Sequence, residues 1–163
     1  MTISSRIFEA YLYCATKCWL LSRGEIGSNN AYAKWKREKN QVYRINITMR
    51  IFGNIQEGDY VATPSVNVNF KADLWKYAPD VTVKTRELES CIHAVERIPP
   101  DVQDKTSQYL PIRAVANDKL TKIDKLLIAF DAHILSETLK HIVQQLDILT
   151  QVRKTKLFFV RAR

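Results

Sequence analysis

A chain of 163 residues that is 46% hydrophobic, with four glycines and five prolines, is not a disordered polymer and is long enough for one domain with a real core. No apolar run approaches the ~20 residues of a membrane-spanning helix, the start lacks a basic segment followed by an apolar core, and an odd three cysteines suit free thiols in a reducing compartment, so the expected location is cytoplasmic. The net charge of +8 is uneven: residues 1–50 hold nine Lys or Arg against three acids (+6), residues 51–150 eleven against fourteen (−3), and residues 151–163 five against none (+5), which favours polyanion contact at the two ends.

Residues 4–23 read as a first helix. Ser4 or Ser5 can cap it, and Gly24 follows its end. Ile7, Tyr11, Cys14, Cys18 and Leu21 recur every three or four residues as one apolar stripe, thickened by Phe8, Leu12 and Trp19. On a continuous helix Cys14 and Cys18 share a face one turn apart. Thiolates at that spacing can begin a metal or cluster site, but two further ligands are needed. The remaining thiol is Cys91 and the three histidines are scattered, so the plainer expectation is two reduced, buried, small apolar side chains.

A loop over 24–30 (GEIGSNN) leads to a second helix expected from about Asn30 to Phe52, capped by Asn29 or Asn30 and ended by Gly53. Trp35, Val42, Ile45, Met49 and Phe52 are its expected inner face. Lys34, Lys36, Arg37, Lys39, Arg44 and Arg50 give it the densest positive charge in the chain, with Tyr32 and Tyr43 interspersed. That mixture can pair phosphates and stack bases, although a solvated helix face has the same composition. From Asp59 the period changes to two. Strands are expected over 60–63, 66–74 and 81–84, with Ala78-Pro79-Asp80 as a turn. ELESCIHAVERI at 87–98 fits a helix through Leu88, Cys91, Val95 and Ile98, and a strand through Ile92 and Ala94. Pro99-Pro100 opens a polar loop to Gln108.

Residues 109–140 organise the rest. Tyr109, Leu110, Ile112 and Val115 suit a half-buried strand, and Pro111 points to an edge or a strand start because it cannot donate to a ladder. Asn117-Asp118 marks a turn. Thr121 and Asp124 form a capping pair for a helix over 121–139, whose stripe is Ile123, Leu127, Phe130 and Ile134, widened by Leu126 and Leu139. The helical pattern continues over 140–152 through Ile142, Val143, Leu146 and Leu149. The chain closes on LFFVRAR, with Arg153, Lys154 and Lys156 forming the second basic end. His133 and His141 lie eight apart without metal-binding spacing and read as surface histidines. Arg113, alone on an apolar strand, reads as an ion-pair partner before a catalytic group.

Three segments carry a family likeness: SSRIFEAYLYCATKCWLLSRGE at 4–25, ELESCIHAVERIP at 87–99 and YLPIRAVANDKLTKIDKLLIAFDAHILSE at 109–137. Through them the chain resembles the RecB-like nucleases of the PD-(D/E)xK superfamily, in the branch related to CRISPR-associated RecB-type exonucleases, and covers the front part of a full-length member. The resemblance implies an α/β restriction-endonuclease-like core in a single domain: basic helices over 1–53, then an α/β core over 54–163 with a mixed sheet flanked by helices. It also favours a strand over Ser90–Arg97. Active members hold magnesium or manganese with a carboxylate on one core strand and an acid-x-Lys pair on the next, chemistry that needs several carboxylates around a hard cation. Here the first position carries His93, and the pair reads Ile112-Arg113-Ala114. Glu89, Glu96, Asp124 and Asp131 are the remaining candidate acids, and strand alternation sets Glu96 on the face opposite His93. Iron–sulfur members pair an early cysteine with three near the C-terminus. Cys14 matches the early one, no cysteine follows Cys91, and no complete cluster is expected.

The sequence therefore leads us to expect a catalytically incomplete RecB-like domain that binds no cofactor and contacts nucleic acid through its basic ends. One alternative is a protein–protein module, a subunit or remnant of a larger nuclease whose partner supplies the missing part. The other is an active metal nuclease that uses the non-standard acids named above.

Overall fold

A computed structural model describes residues 2–25, 27, 30–52, 75–99, 107–115 and 120–139, and the backbone of strands at 146–150 and 158–162. The chain is α/β. β1 (Ile3–Ser4) leads into α1 (Ser5–Tyr13), α2 (Ala15–Ser22) and α3 (Ala31–Phe52). β2 (Tyr77–Lys84), β3 (Leu88–Ile98) and β4 (Gln108–Val115) follow, then α4 (Lys122–Leu139), β5 (Leu146–Thr150) and β6 (Phe158–Ala162). The described strands form one six-stranded mixed sheet. β2, β3 and β4 are successive antiparallel neighbours, β5 is parallel to β4, and β6 is antiparallel to β5. A parallel pair needs a crossover connection, and α4 lies between β4 and β5 in the chain.

The sheet is covered on both faces. On one, Ile134, Leu135 and half-buried Phe130 of α4 pack against Val81, Val83, Ile92, Val95, Trp75 and Tyr109. Each such side chain taken from water contributes roughly 1.5–3 kcal/mol. Phe8 of α1 stacks on Phe130 at 4.5 Å, which places α1 beside α4. On the other face Ile47 and Tyr43 of α3 meet Ala94, Ile112, Ala114 and Tyr77.

Several sequence expectations need correction. The helix expected over 4–23 is broken at Cys14, whose backbone is extended (φ −163°, ψ 115°). Cys14 caps α2 instead of continuing α1, and the shared face with Cys18 disappears. Neither thiol is buried: Cys14 is exposed and Cys18 half-buried. Ala78-Pro79-Asp80 is not a turn but lies inside β2, with Pro79 opposite Ala94. The hairpin turns later, where the Thr85 amide donates to the Leu88 carbonyl at 2.8 Å and the Leu88 amide to Thr85 Oγ1 at 3.0 Å. Pro111 is not at an edge: β4 is an interior strand, and Pro111 pairs with Val95. Its missing N–H is tolerated because β5 joins β4 only from Ile112 onward. The helix expected over 140–152 is replaced at 146–150 by β5, whose apolar run satisfies the open edge of β4.

The outward-facing stripe of α3 is the largest reversal. Trp35, Val42, Ile45 and Met49 are 52, 57, 43 and 65% exposed, whereas Ile47 is buried. Leu126 of α4 is likewise outside the buried stripe. Expectations for 60–74 and Gly53, and for His141, fall outside the described residues. Other expectations stand. Ser4 caps α1 through the Ile7 amide, Asn30 caps α3 through the Ala33 amide at 2.7 Å, and the strand over 90–97 is part of β3. The Thr121–Asp124 box is reciprocal. The Thr121 amide and hydroxyl donate to Asp124 Oδ2 at 2.8 and 2.6 Å, and the Asp124 amide donates to Thr121 Oγ1 at 3.2 Å.

Candidate functional site

The centre of the sheet contains a local irregularity that positions the residues in question. Glu89 is paired on both sides, to Ser4 and to Lys84, and Ala94 to both Pro79 and Ile112. β1 and β4 therefore share one edge of β3 at opposite ends and leave residues 90–93 unladdered between them. Ile92 and Val95, three apart, both enter the α4-side core, as do Ala78 and Val81 on β2. Alternation thus slips by one residue in both strands, at His93 and at Asp80, which takes a positive φ of 51°. The simple rule that sets Glu96 opposite His93 does not hold across such a slip.

His93 fills the gap. Its Nδ1 accepts the Ala114 amide at 3.0 Å, replacing a missing ladder bond. Burial, then the positive charges of Arg113 and Arg44, push its pKa down to about 3, so the ring is neutral at pH 7. A neutral imidazole whose Nδ1 accepts carries its proton on Nε2. Ile112 and Ala114 belong to the cluster under α3. Arg113, between them, faces the other way, toward α4. Its Nε and Nη2 donate to Asp131 Oδ2 and Oδ1, each at 2.8 Å, and the Ser90 hydroxyl donates to Oδ1 at 2.5 Å. Asp131 and Ser90 are fully buried. Burial pushes the Asp131 carboxyl above its ordinary value, while the Arg113 charge and the hydrogen bonds from Arg113 and Ser90 pull the other way.

No family model and no curated protein matches this chain. What the centre can do must come from its donors. Magnesium or manganese needs oxygen ligands, and these residues do not fit one. Ile112 and Ala114 have none, and His93 Nδ1 is occupied. The Asp131 carboxylate is neutralised by the Arg113 guanidinium bonded to both its oxygens, and Asp124 Oδ2 closes the capping box. Glu96 accepts the Tyr77 hydroxyl at 2.8 Å, and Glu89 lies 3.8 Å from Lys84. Among the described residues no three His, Cys, Asp or Glu side chains converge as a metal group. His133 is exposed on α4. Sequence reasoning found Arg113 as an ion-pair partner but missed Ser90, whose hydroxyl completes that pairing on Asp131, and Tyr77, whose hydroxyl bonds Glu96. A small hydroxyl amid apolar strand residues was the available signal for Ser90.

The basic helix is a separate feature. Lys34, Lys36, Arg37 and Lys39 are exposed, as is nearly every residue from 30 to 42, so the first half of α3 projects from the body. Lys39 sits 4.9 Å over the Trp35 ring, and the Tyr32 and Trp35 rings are 5.9 Å apart. Arg23 of the α2 cap lies 5.0 Å over exposed Trp19. Arg44 is drawn back to the sheet by Asp80 at 2.9 Å and is the least suited of the expected contacts. The side chain of Arg50, and Arg153, Lys154 and Lys156, lie outside the described residues.

Proposed function

We propose that this chain is a catalytically incomplete relative of the RecB-like nucleases, with a restriction-endonuclease-like core, that contacts nucleic acid through its basic ends. One observation carries the reading: the half of α3 bearing Lys34, Lys36, Arg37 and Lys39 projects into solvent with the rings of Tyr32 and Trp35 among the charges. Cations at that density neutralise phosphates, and exposed rings give bases a stacking plane. The order of elements supports the fold half of the reading: three antiparallel strands, then a helix, then a parallel strand in one mixed sheet between helices. The arrangement at His93, Ile112 and Ala114 supports the loss of catalysis, since the expected ligand positions hold an occupied imidazole and two apolar side chains.

The test is a salt titration of binding to single- and double-stranded oligonucleotides, wild type against Lys36→Gln/Arg37→Gln/Lys39→Gln. Binding that is blind to sequence and falls steeply between low and physiological salt is expected. The triple variant flattens the slope of log affinity by about 0.7–0.9 for each phosphate it no longer neutralises. Absence of binding at low salt overturns the nucleic-acid reading. Cleavage by pure protein with magnesium or manganese, abolished by Glu96→Ala or Asp124→Ala, overturns the loss of catalysis.

A further inference from the structure

Helix α3 has two apolar sides, and among the described residues one is covered. Tyr43 and Ile47 rest on the sheet. On the opposite side of the helix, Trp35, Val42, Ile45 and Met49 are all among the exposed large hydrophobics. Their spacings of seven, three and four alternate as the two core positions of a heptad do, a 3.5-residue repeat that marks a seam for a second helix. By sequence Phe52 extends the repeat and Glu38 occupies the one polar core position, the kind of residue that fixes register. Lys34 and Lys39 flank the seam where a heptad carries its pairing charges.

We propose that this seam binds an amphipathic helix with acidic flanks from a partner protein. Charge selects that occupant. α3 carries six bases (Lys34, Lys36, Arg37, Lys39, Arg44, Arg50) against one acid, Glu38, a net of +5. A second copy would bring +5 against +5, and in parallel register would set Lys34 of one copy against Lys39 of the other. Val42, Ile45 and Met49 offer nucleic acid neither a stacking plane nor a phosphate donor, so this part of the seam is distinct from the nucleic-acid reading, while Trp35, Lys34 and Lys39 are shared by both. An acid-flanked helix meets both requirements, burying the aliphatic seam and pairing the lysines along its rim.

The experiment uses the full chain and two synthetic amphipathic peptides of about four heptads with leucine at both core positions. One has glutamate flanks and the other lysine flanks. By fluorescence anisotropy the glutamate peptide binds at least about tenfold more tightly, and the gap narrows with salt. Val42→Ser/Ile45→Ser/Met49→Ser abolishes peptide binding and leaves oligonucleotide binding intact. Lys34→Glu/Lys39→Glu reverses the preference toward the lysine peptide, a gain that misfolding cannot mimic. The proposal is overturned if neither peptide binds, if both bind equally, or if the seam variant loses oligonucleotide affinity. It is also overturned if sedimentation shows a seam-dependent dimer, or if phosphatidylserine vesicles take up the chain through the seam while the peptides do not.

Discussion

Removing either partner of the Arg113–Asp131 pair should have consequences of different pH dependence. The pair joins β4 to α4 across the core, with side-chain exposures of 11 and 0%. Breaking a buried pair by deleting one member costs about 3–5 kcal/mol, because the survivor keeps its desolvation penalty. Against a typical domain stability of roughly 5–15 kcal/mol, either single variant is left marginal. Asp131→Leu strands a guanidinium that cannot lose its proton, so lowering the pH from 7 to 5 does not relieve the stranded charge. Arg113→Met strands a carboxyl that can take a proton. Burial already pushes Asp131 up, and removing Arg113 removes the main opposing influence. The folded protein then binds more protons than the unfolded chain above the ordinary carboxylate range, so stability falls as pH rises through that window. Arg113→Met should therefore recover part of its loss at pH 5. The double variant, apolar on both sides, should lie within about 2 kcal/mol of wild type, less about 1 kcal/mol for the orphaned Ser90 hydroxyl. Urea denaturation followed by circular dichroism at both pH values measures all four proteins. Singles that each cost under about 1 kcal/mol, or a double equal to their sum, would refute the pair as a coupled buried brace.

His93 makes an opposite prediction. Its folded pKa of about 3 lies below an unfolded value of ~6.5, so its contribution is complete above ~6.5 and is lost as pH falls, by about 2 kcal/mol between pH 7 and pH 5. His93→Gln, which keeps an acceptor for the Ala114 amide, should remove that slope in paired urea titrations; an unchanged slope would show that the ring is not held neutral. For the cysteines, native-state labelling with iodoacetamide read by peptide mass spectrometry should modify exposed Cys14 and Cys91 ahead of half-buried Cys18. Labelling of Cys18 first would contradict the break between α1 and α2.

The parts of the fold legible in the sequence were those where local chemistry and packing agree. Thr121-x-x-Asp124 before an apolar period marks a helix start whatever lies around it, and both capping bonds form. The β4 strand was legible from its dense apolar run. Pro111 misled because its penalty depends on which neighbour needs the missing donor, and that is a property of the sheet. Ala78-Pro79-Asp80 has turn composition, yet Asp80 uses its positive φ for a slip inside a strand. Nothing local marks the break at Cys14, where hydrogen bonds continue from the Cys14 amide to Ala10 and from the Cys18 amide to Cys14. For α3, periodicity identified an apolar stripe but could not tell which side faces inward. Two apolar sides exist, and the sheet, through Ala94 and Ile112, accepts the smaller one. At the centre, a lone arginine on an apolar strand was enough to mark Arg113 as an ion-pair partner. Its bond to Asp131, eighteen residues on, required the tertiary fold.

Helix α3 links the centre of the sheet to the surface. The positions where the resemblance implies an acid and a lysine, Ile112 and Ala114, face α3, and Ile47 and Tyr43 pack over them. A carboxylate introduced by Ile112→Glu would be buried against Ile47, with Arg44 already committed to Asp80. An unpaired buried carboxylate neutralises itself in preference to staying ionised, and a protonated acid is a poor ligand for a hard cation. Restoring the missing residue types in place would therefore not by itself restore a metal site. The position of α3 stands in the way. The helix that packs over Ile112 and Ala114 is also the element whose outer half carries the exposed lysines.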